Sequence, residues 1–408
     1  MLRSNVGALS STWIWSWLRT FRRARTASVS WCRSIWRHEA AAEGRAMSRR
    51  EVLMIGTAPE GKGGVASVVG VYMAHGLPQR FPLRYVSTHR EGSRLAKLWC
   101  SVSALLRIVF LLLSGRVAVL HAHVSSNASF KRKSVYLALA RAFGVSTVFH
   151  LHGGAFDKFT DQSASPRLRR WIVHSLQRST RVVALSDSWV RYLSGVAPGL
   201  KVRAIANPVF MPALAEGRAD PAEQAGRLIF LGRAEHNKGV FDLLQALQLL
   251  REQRPDVRLA IGGDGNLEAL RAEVHRLGLD AQVEVLGWVV GEAKLQQLRR
   301  AEVFVLPSYS EGLPMSMLEA MAFGKAVVVT PVGGIPEAVQ HEQQGLLVQP
   351  GQPRELADAL LRLLQDDELR LRLGQRARQR VAERFGVERV LGQVADLYRE
   401  LGVEELRT

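Results

Sequence analysis

Residues 303–319 read VFVLPSYSEGLPMSMLE, which is the pattern of a strand, a loop and a helix. The first four residues form a short apolar run, which is typical of a strand buried in a parallel sheet. Pro314 suits the first turn of a helix and Gly324 suits the position just past its end, so we expect a helix from Pro314 to about Phe323. The segment therefore predicts a helix whose amino end lies at the carboxyl edge of a parallel sheet.

The same unit recurs on both sides of this segment. Short apolar runs that predict buried strands occupy residues 52–55, 117–120, 147–151, 182–185, 228–231, 259–261, 283–286, 303–306 and 326–329. Helical patterns lie between most of them. Alternating strands and helices imply right-handed crossovers and doubly wound sheets, and the strands suffice for two sheets. We predict an α/β protein with two Rossmann-like, doubly wound parallel-sheet domains that face a central cleft.

The length and the composition predict where the domains lie. A chain of 408 residues suits two domains of ordinary size, and the polar, proline-containing stretch after Pro212 reads as a linker. We therefore assign residues 47–212 to the first domain and 213–408 to the second. Residues 1–46 hold five of the nine tryptophans, interleaved with arginines. They fit an interfacial amphipathic segment, or a translated stretch upstream of a true start at Met47, and composition favours the second interpretation.

Positive charge is concentrated in the first domain. Residues 47–210 hold 23 Lys and Arg against 6 Asp and Glu, whereas residues 211–408 hold 24 against 29. A basic half suits an anionic membrane surface or a phosphate-bearing acceptor, while a nucleic-acid partner is not expected. Cys32 and Cys100 have no CxxC spacing, so we expect neither a disulfide framework nor a cysteine metal site, and a reducing compartment fits.

The most hydrophobic stretch runs from Val102 to Leu113. It contains Arg107 and stops at Ser114 after about a dozen residues, short of the roughly 20 that a membrane-spanning helix needs. We expect a helix that packs on the first sheet. A shallow membrane contact through this helix remains an alternative, because its apolar residues are not confined to one stripe.

Two loops of the second domain carry residues suited to a diphosphate. Arg233 and Lys238 lie in the loop after the strand 228–231, where ligands bind in open α/β sheets. A guanidinium can bind phosphate oxygens in a fork and an ammonium adds a point charge. The amino end of the helix at Pro314, with Gly312 and Leu313, offers free amides to the same anion. Glu311 and Glu319 are about 12 Å apart along a helix, which is too far for either glycoside-hydrolase geometry.

Two weaker patterns lie in the first domain. Gly63 and Gly64 belong to a glycine-rich turn after the first strand, which permits close backbone approach to a ligand. His150 and His152 share one strand face, and His121 with His123 repeat this spacing. No carboxylate or cysteine spacing supports a metal site, so we predict none. The histidines are either buried groups with satisfied hydrogen bonds or, for His152 at the strand end, a polar part of the active site.

Together these motifs resemble the retaining glycosyltransferases of family four, which have the GT-B architecture. The resemblance runs from about Val52 to about Val348 and is carried by the E-x7-E segment 311–319, the R-x4-K loop 233–238 and their order. It implies that Gly63 and Gly64 lie near the diphosphate and acceptor, His152 near the donor sugar, Arg233 and Lys238 on the diphosphate, Glu311 on sugar hydroxyls and Glu319 on the ribose. Gly265 and Trp288 would flank the base, and residues 332–337 resemble the family's second-domain glycine loop. Asn207-Pro208 departs from the family pattern, where a glycine is commoner.

The resemblance implies a retaining transfer of a sugar from a nucleotide diphosphate sugar to a glycan or polyprenyl-diphosphate-linked acceptor, in bacterial surface polysaccharide synthesis. His152, Arg233, Lys238 and Glu311 would form the catalytic group, with no metal and no cofactor. We expect a cytoplasmic protein, peripheral to the inner membrane. Two alternatives remain: a GT-B sugar-nucleotide epimerase, and a non-catalytic basic scaffold at a membrane surface.

Overall fold

The computed structural model of the chain describes residues 50–213 and 222–406, which form two six-stranded parallel sheets. This confirms the predicted pair of doubly wound α/β units. The expectations for residues 1–46 and for most of the linker lie outside the described residues. The first sheet ends at Ala204 and the second begins at Arg227, so the division at residue 212 stays a prediction that falls between them.

The first half alternates strands and helices. Its strands are β1 (Glu51–Thr57), β2 (Leu83–His89), β3 (Val117–Val124), β4 (Ser146–Leu151), β5 (Arg181–Ala184) and β6 (Val202–Ala204), in the order β2-β1-β3-β4-β5-β6. Its helices are α1 (Gly64–Ala74), α2 (Leu77–Arg80), α3 (Arg94–Leu113), α4 (Ala128–Ala142), α5 (Pro166–Gln177) and α6 (Asp187–Val196). Alternate residues of β1 pack against opposite layers: Val52 and Met54 share a cluster with α1, and Leu53 and Ile55 share one with α3.

The second half repeats the arrangement. Its strands are β7 (Arg227–Leu231), β8 (Arg258–Gly262), β9 (Val283–Gly287), β10 (Val303–Leu306), β11 (Ala326–Val329) and β12 (Gly345–Leu347), in the order β12-β11-β10-β7-β8-β9. Its helices are α7 (Val240–Gln253), α8 (Leu267–Arg276), α9 (Gly291–Arg300), α10 (Met315–Ala322), α11 (Ile335–Ala338), α12 (Pro353–Gln365), α13 (Asp367–Arg384) and α14 (Val387–Glu400). In both sheets the strand order reverses direction, which places ligand-binding loops at the carboxyl ends of the central strands.

Helix α3 differs from its prediction. It begins at Arg94 and is 20 residues long, with the Ser93 hydroxyl accepting a hydrogen bond from the Ala96 amide at 3.2 Å. The expectation of about a dozen residues was wrong, because the charged and polar residues of the first two turns interrupt the apolar run. The predicted packing on the first sheet is confirmed through Ala104 and Ile108.

The last helix, α14, returns to the first half of the molecule. The Tyr398 hydroxyl lies 2.7 Å from His121 Nδ1, and its ring meets Phe81 edge-on at 5.3 Å. Glu400 forms an ion pair with Arg203. The end of the chain therefore links the two halves.

Candidate active site

Lys238 and Glu311 meet at the predicted phosphate-binding edge of the second sheet. Lys238 ends a short turn after β7, and its Nζ lies 2.6 Å from Glu311 Oε1. The Ser308 hydroxyl donates to the same carboxylate oxygen at 2.8 Å. Glu311 is 6% exposed, so the pair is largely shielded from water. Shielding strengthens the attraction between these charges and fixes the ammonium group beside the loop that leads into α10.

Among the residues that the structure describes, no side chain caps the amino end of α10. The helix follows Pro314, which stands at the N-cap position, and it ends one residue before the predicted end at Phe323. The carbonyl groups of the preceding turn are occupied: Gly312 O accepts from the Gly334 amide and Leu313 O accepts from Asn207 Nδ2, both at 2.7 Å. A helix start without a cap retains a positive dipole end that favours an anion.

Arg233 lies in the same loop as Lys238 but has different partners. Its Nη2 lies 2.9 Å from Glu235 Oε1, and its Nε lies 3.4 Å from Asp264 Oδ1. More than half of its side chain is exposed. Such exposed pairs are weak, so the guanidinium can exchange its carboxylates for a stronger anion. In this structure Lys238 pairs with Glu311, whereas Arg233 pairs with one carboxylate of its own loop and one of the loop after β8.

Glu319 pairs with a cation that we did not predict. Lys294 of α9 places its Nζ 2.6 Å from Glu319 Oε1, and both side chains are about one fifth exposed. No short-range pattern links these residues, because α9 and α10 belong to separate βα units. The carboxylate predicted to bind the ribose is thus held in place from the neighbouring helix.

The first half touches the loop before α10 through Gly154. Ser310 Oγ donates to the Gly154 carbonyl at 2.6 Å. A Cβ atom at Gly154 would lie only 2.3 Å from the Glu311 carbonyl carbon, so no other residue fits without moving the backbone. The contact brings the end of the β4 segment, which includes His152, to the candidate site.

Two further contacts join the halves around the cleft. Glu337, in the predicted second-domain glycine loop, accepts hydrogen bonds from the Asp187 and Ser188 amides at 2.9 and 2.7 Å. Lys62 Nζ lies 5.9 Å from the centre of the Trp288 ring, a cation–π distance. The contact of Lys62 with Trp288 brings the glycine-rich turn of the first half to the stretch predicted to flank the base.

The glycine-rich turn itself is open. Gly63 precedes α1 with φ at 111°, a conformation that favours glycine, and a Cβ atom at either Gly63 or Gly64 would meet no atom of the described residues within 4 Å. Space of this kind fits the predicted approach of a ligand to the backbone.

Four histidines line one face of β3 and the end of β4. His121 Nε2 lies 3.0 Å from His150 Nδ1, and His123 Nδ1 lies 2.8 Å from His152 Nε2. Burial lowers the pKa of His121 and of His152 to about 3, and burial with neighbouring histidines holds the pKa of His123 and His150 well below the usual value. All four rings are neutral near neutral pH. His152 can therefore exchange hydrogen bonds with a sugar hydroxyl, but it cannot act there as a cation.

The same histidines bear on the predicted absence of a metal. His121, His123 and His150 place ring nitrogens within 4.8 Å of one another, and among the described residues the Nε2 atoms of His123 and His150 have no hydrogen-bond partner. The other ring nitrogens of these three histidines hydrogen-bond to histidine or tyrosine, and the His121 ring stacks on His123 and His150 at 4.8 and 5.2 Å. Metal independence stays a prediction.

Lys133 is a buried cation that the sequence patterns did not single out. It is 2% exposed, and its Nζ donates to Ser129 Oγ at 3.0 Å. Within residues 50–213 and 222–406 it has no carboxylate partner. Burial first, and then Arg132, lowers the pKa of Lys133 to about 7. The charged run 131–133, near the start of the helix that follows β3, was the available signal.

His89, at the carboxyl end of β2, lies near the same cations. Burial lowers its pKa, and the positive charges of Arg132, Lys97 and Lys133 lower it further. Glu91 opposes these charges only in part, so the three cations leave a net positive field at this edge, where an anionic group would be stabilised.

Two family models match the chain. Residues 45–211 match Glycosyltransferase Family 4, and residues 218–380 match Glycosyl transferases group 1. The two matches cover most of the described residues in both halves.

Curated relatives and solved structures agree with these models. An uncharacterized glycosyltransferase of Methanocaldococcus jannaschii is 32% identical over 173 residues, which are 42% of this chain and 44% of that protein, so the chain spans less than half of this relative. A D-inositol 3-phosphate glycosyltransferase of Arthrobacter sp. is 30% identical over 318 residues, which cover 70% of each chain. The crystal structure of Anabaena HepE in complex with UDP and glucose has a TM-score of 0.70 at 18% identity, covering 86% of this chain and 100% of that one.

The last likeness shows the fold, and the Arthrobacter relative with the family models shows the family. The predicted resemblance and the predicted architecture are both confirmed. The chain belongs to glycosyltransferase family four, the group 1 glycosyl transferases, and has the GT-B fold.

Proposed function

We propose that this protein is a retaining glycosyltransferase that transfers a sugar from a nucleotide diphosphate sugar to a phosphate-bearing acceptor. One observation carries the proposal. Lys238 and Glu311 form a shielded pair at the uncapped amino end of α10, at the point where Gly154 of the first half contacts the second. A cation, a helix dipole and a junction between two sheets together suit the transfer of a group from a diphosphate.

The donor would occupy the second half. Lys238, Arg233 and the amides at Gly312 and Leu313 would hold the diphosphate, and Glu319, steadied by Lys294, would bind the ribose. The HepE structure, which was solved with UDP and glucose, supports this class of donor. Glu311 would accept from sugar hydroxyls while Lys238 neutralises its charge.

The reaction would proceed on one face of the sugar. The bond between the anomeric carbon and the diphosphate oxygen breaks, and the negative charge that develops on the leaving diphosphate is stabilised by Lys238 and Arg233. The acceptor oxygen bonds to the same face of the anomeric carbon, and its proton passes to a phosphate oxygen. Configuration is retained without a covalent enzyme intermediate. His152, neutral at physiological pH, would orient the sugar by a hydrogen bond.

Cations and the helix dipole supply the charge neutralisation that a divalent metal supplies in other transferases. We therefore propose transfer that needs no metal and no cofactor. An EDTA-treated, donor-saturated enzyme should retain its rate, and abolition of transfer by EDTA would refute this part.

The acceptor would enter from the first half. Lys133, Arg132 and Lys97, which lie near His89, create positive potential at its cleft-facing edge, and this suits a phosphate group on the acceptor. A polyprenyl-diphosphate-linked glycan is an acceptor of this chemistry. With the family resemblance, it supports a role in bacterial surface polysaccharide synthesis on the cytoplasmic side of the inner membrane.

A donor screen tests the proposal. Purified protein is incubated with UDP- and GDP-sugars, with and without a polyprenyl-diphosphate sugar, and nucleotide release and product anomeric configuration are measured. We expect acceptor-dependent release and a product with the configuration of the donor. An altered sugar nucleotide formed without acceptor would favour an epimerase, and the absence of release with every donor would favour a non-catalytic scaffold.

A further inference from the structure

One face of helix α3 is apolar and exposed. Seven large side chains on it are between 40% and 78% exposed: Leu95, Leu98, Trp99, Val102, Leu106, Phe110 and Leu113. They recur every three or four residues, so they form one stripe along a helix about 30 Å long. Exposed apolar stripes of this length are rare on monomeric soluble proteins and mark interaction surfaces.

The opposite face of α3 is fixed to the first sheet. Ala104, Ile108, Leu111 and Leu112 are buried in the cluster that includes Leu53 and Ile55 of β1. Within the described residues, α3 is also the one helix long and apolar enough to cross a bilayer, with 28% of its apolar window buried. Insertion across a membrane would strip these contacts from the sheet, whereas lying flat on a surface would keep them.

The charged side chains of α3 itself are all positive. Arg94, Lys97 and Arg107 are exposed on α3, and the helix contains no aspartate or glutamate. Exposed cations also lie on the next two helices of the first half: Lys131 on α4 and Arg167, Arg169 and Arg170 on α5. An apolar stripe bordered by lysine and arginine complements acidic lipid headgroups above an acyl layer.

This charge pattern also separates the possible occupants. Residues 1–46, with 8 Arg and 2 Glu, are basic as well. A second copy of the chain would bring the same cations against this face. Residues 1–46 or a second copy would therefore bring positive charge against the cations of this face, whereas an anionic bilayer would bring negative charge.

We propose that the exposed face of α3 docks this protein on the anionic surface of a lipid bilayer. The helix lies in the membrane plane, with Trp99 and Phe110 among the headgroups and upper acyl chains and the flanking cations on lipid phosphates. Docking does not depend on the proposed function. If that function holds, the amino end of α3, which follows β2 and His89, brings the acceptor edge of the cleft close to the bilayer.

Vesicle flotation of the full-length protein tests this proposal with a matched pair of variants. Phe110→Glu places a charge in the exposed stripe. Phe210→Glu places one on an exposed phenylalanine that stacks on His75, just after α1, on the other side of the first sheet. Because both side chains are exposed, both variants should fold, and their circular dichroism melting curves serve as the check.

We expect wild type to float with vesicles of phosphatidylcholine and phosphatidylglycerol, and much less with phosphatidylcholine alone. Phe110→Glu should lower binding to the anionic vesicles at least about tenfold, and Phe210→Glu should leave it unchanged. Equal binding by the two variants would overturn the proposal, since the affinity would then come from elsewhere, such as the tryptophan-rich residues 1–46.

A second result would also overturn it. If wild type does not bind anionic vesicles but sediments as a dimer, and Phe110→Glu converts that dimer to a monomer, the stripe is an interface between copies of the chain. The vesicle assay contains no sugar donor, so a failure of the proposed transfer activity would leave its outcome unaffected.

Discussion

The two cleft-facing edges of this molecule hold their charges differently. In the second half, Lys238, Lys294 and Arg233 each pair with a carboxylate at 2.6 to 2.9 Å. In the described part of the first half, Lys133 hydrogen-bonds only to a hydroxyl, and the histidines beside the cleft are neutral. Where each cation pairs with a carboxylate, an anionic ligand can take the place of that carboxylate. Where a cation has no carboxylate partner, its positive field attracts an anion from a distance. The contrast fits a donor half and an acceptor half.

The largest expected effect is a loss of folding stability at acidic pH. It would arise from the buried neutral histidines of the first half and so sharpen the contrast with the paired charges of the second. The pKa of His121 and His152 is lowered to about 3, and that of His123 and His150 is lowered well below normal. Below about pH 6.5 these histidines bind protons in the unfolded chain but stay neutral in the folded protein. Each histidine therefore lowers the unfolding free energy by about 1.4 kcal/mol per pH unit until the pH reaches its folded pKa.

Urea unfolding at about pH 7 and about pH 5 measures this loss, which should amount to several kcal/mol. His275→Gln, at an exposed histidine of the second half, should leave the pH dependence unchanged. Equal urea midpoints at the two pH values would show that the buried histidines do not control acid stability.

The next largest effect is a fall in the rate of sugar transfer when Lys238 is removed. Lys238→Ala deletes a pre-arranged positive charge beside the leaving diphosphate, and such deletions cost about 2.7 to 4 kcal/mol, or 100- to 1000-fold in kcat. Steady-state transfer kinetics measure the effect. Lys201→Ala removes an exposed lysine of the first half and should leave kcat unchanged. A normal kcat in Lys238→Ala would contradict a role of the Lys238–Glu311 pair in transfer.

Gly154→Ala tests the junction between the two edges. The added methyl group would lie 2.3 Å from the Glu311 carbonyl carbon, so the halves must shift. A misplacement of about 1 Å can cost on the order of 100-fold in rate, and kcat should fall by up to that factor.

Gly195→Ala is the matched control for this change. Gly195 lies in α6, and a Cβ atom there would have no described atom within 4 Å. Its kcat should be unchanged and its stability equal or slightly higher. Full activity of Gly154→Ala would mean that the contact is absent during turnover.

The smallest effect concerns the acceptor. Lys133→Met removes a buried amine that has no carboxylate partner among the described residues, and it should raise KM for a phosphate-bearing acceptor by about tenfold, while acceptor-independent donor hydrolysis stays unchanged. The urea midpoint should not fall, because no ion pair is broken. Lys131→Met, at an exposed neighbouring lysine, provides the comparison. If the two variants show the same acceptor KM, Lys133 has no part in acceptor binding.

The central strands were predictable from sequence, and three edge strands were not. The runs 52–55 and 303–306 are apolar throughout because both faces of the strand are buried. By contrast, β2 alternates in burial, β6 is three partly buried residues and β12 begins with glycine. A strand at the edge of a sheet needs no continuous apolar run, so its sequence resembles that of a loop.

The candidate site was predictable where one loop or helix carries it. Arg233 with Lys238, and Glu311 with Glu319, have spacings that local sequence displays. Lys294 meets Glu319 only through the packing of α9 beside α10, and Gly154 meets Glu311 only where the halves touch. Contacts between distant segments depend on tertiary structure, which local patterns do not encode.

The most direct test of the account is calorimetric titration of a nucleoside diphosphate, without any sugar or acceptor. UDP and GDP are titrated into wild type, Lys238→Ala and Lys133→Met. For whichever nucleotide wild type binds, we predict that Lys238→Ala weakens the affinity at least about tenfold and that Lys133→Met leaves it unaltered. Equal affinity of wild type and Lys238→Ala for that nucleotide would contradict the claim that the amino end of α10 and Lys238 bind the diphosphate.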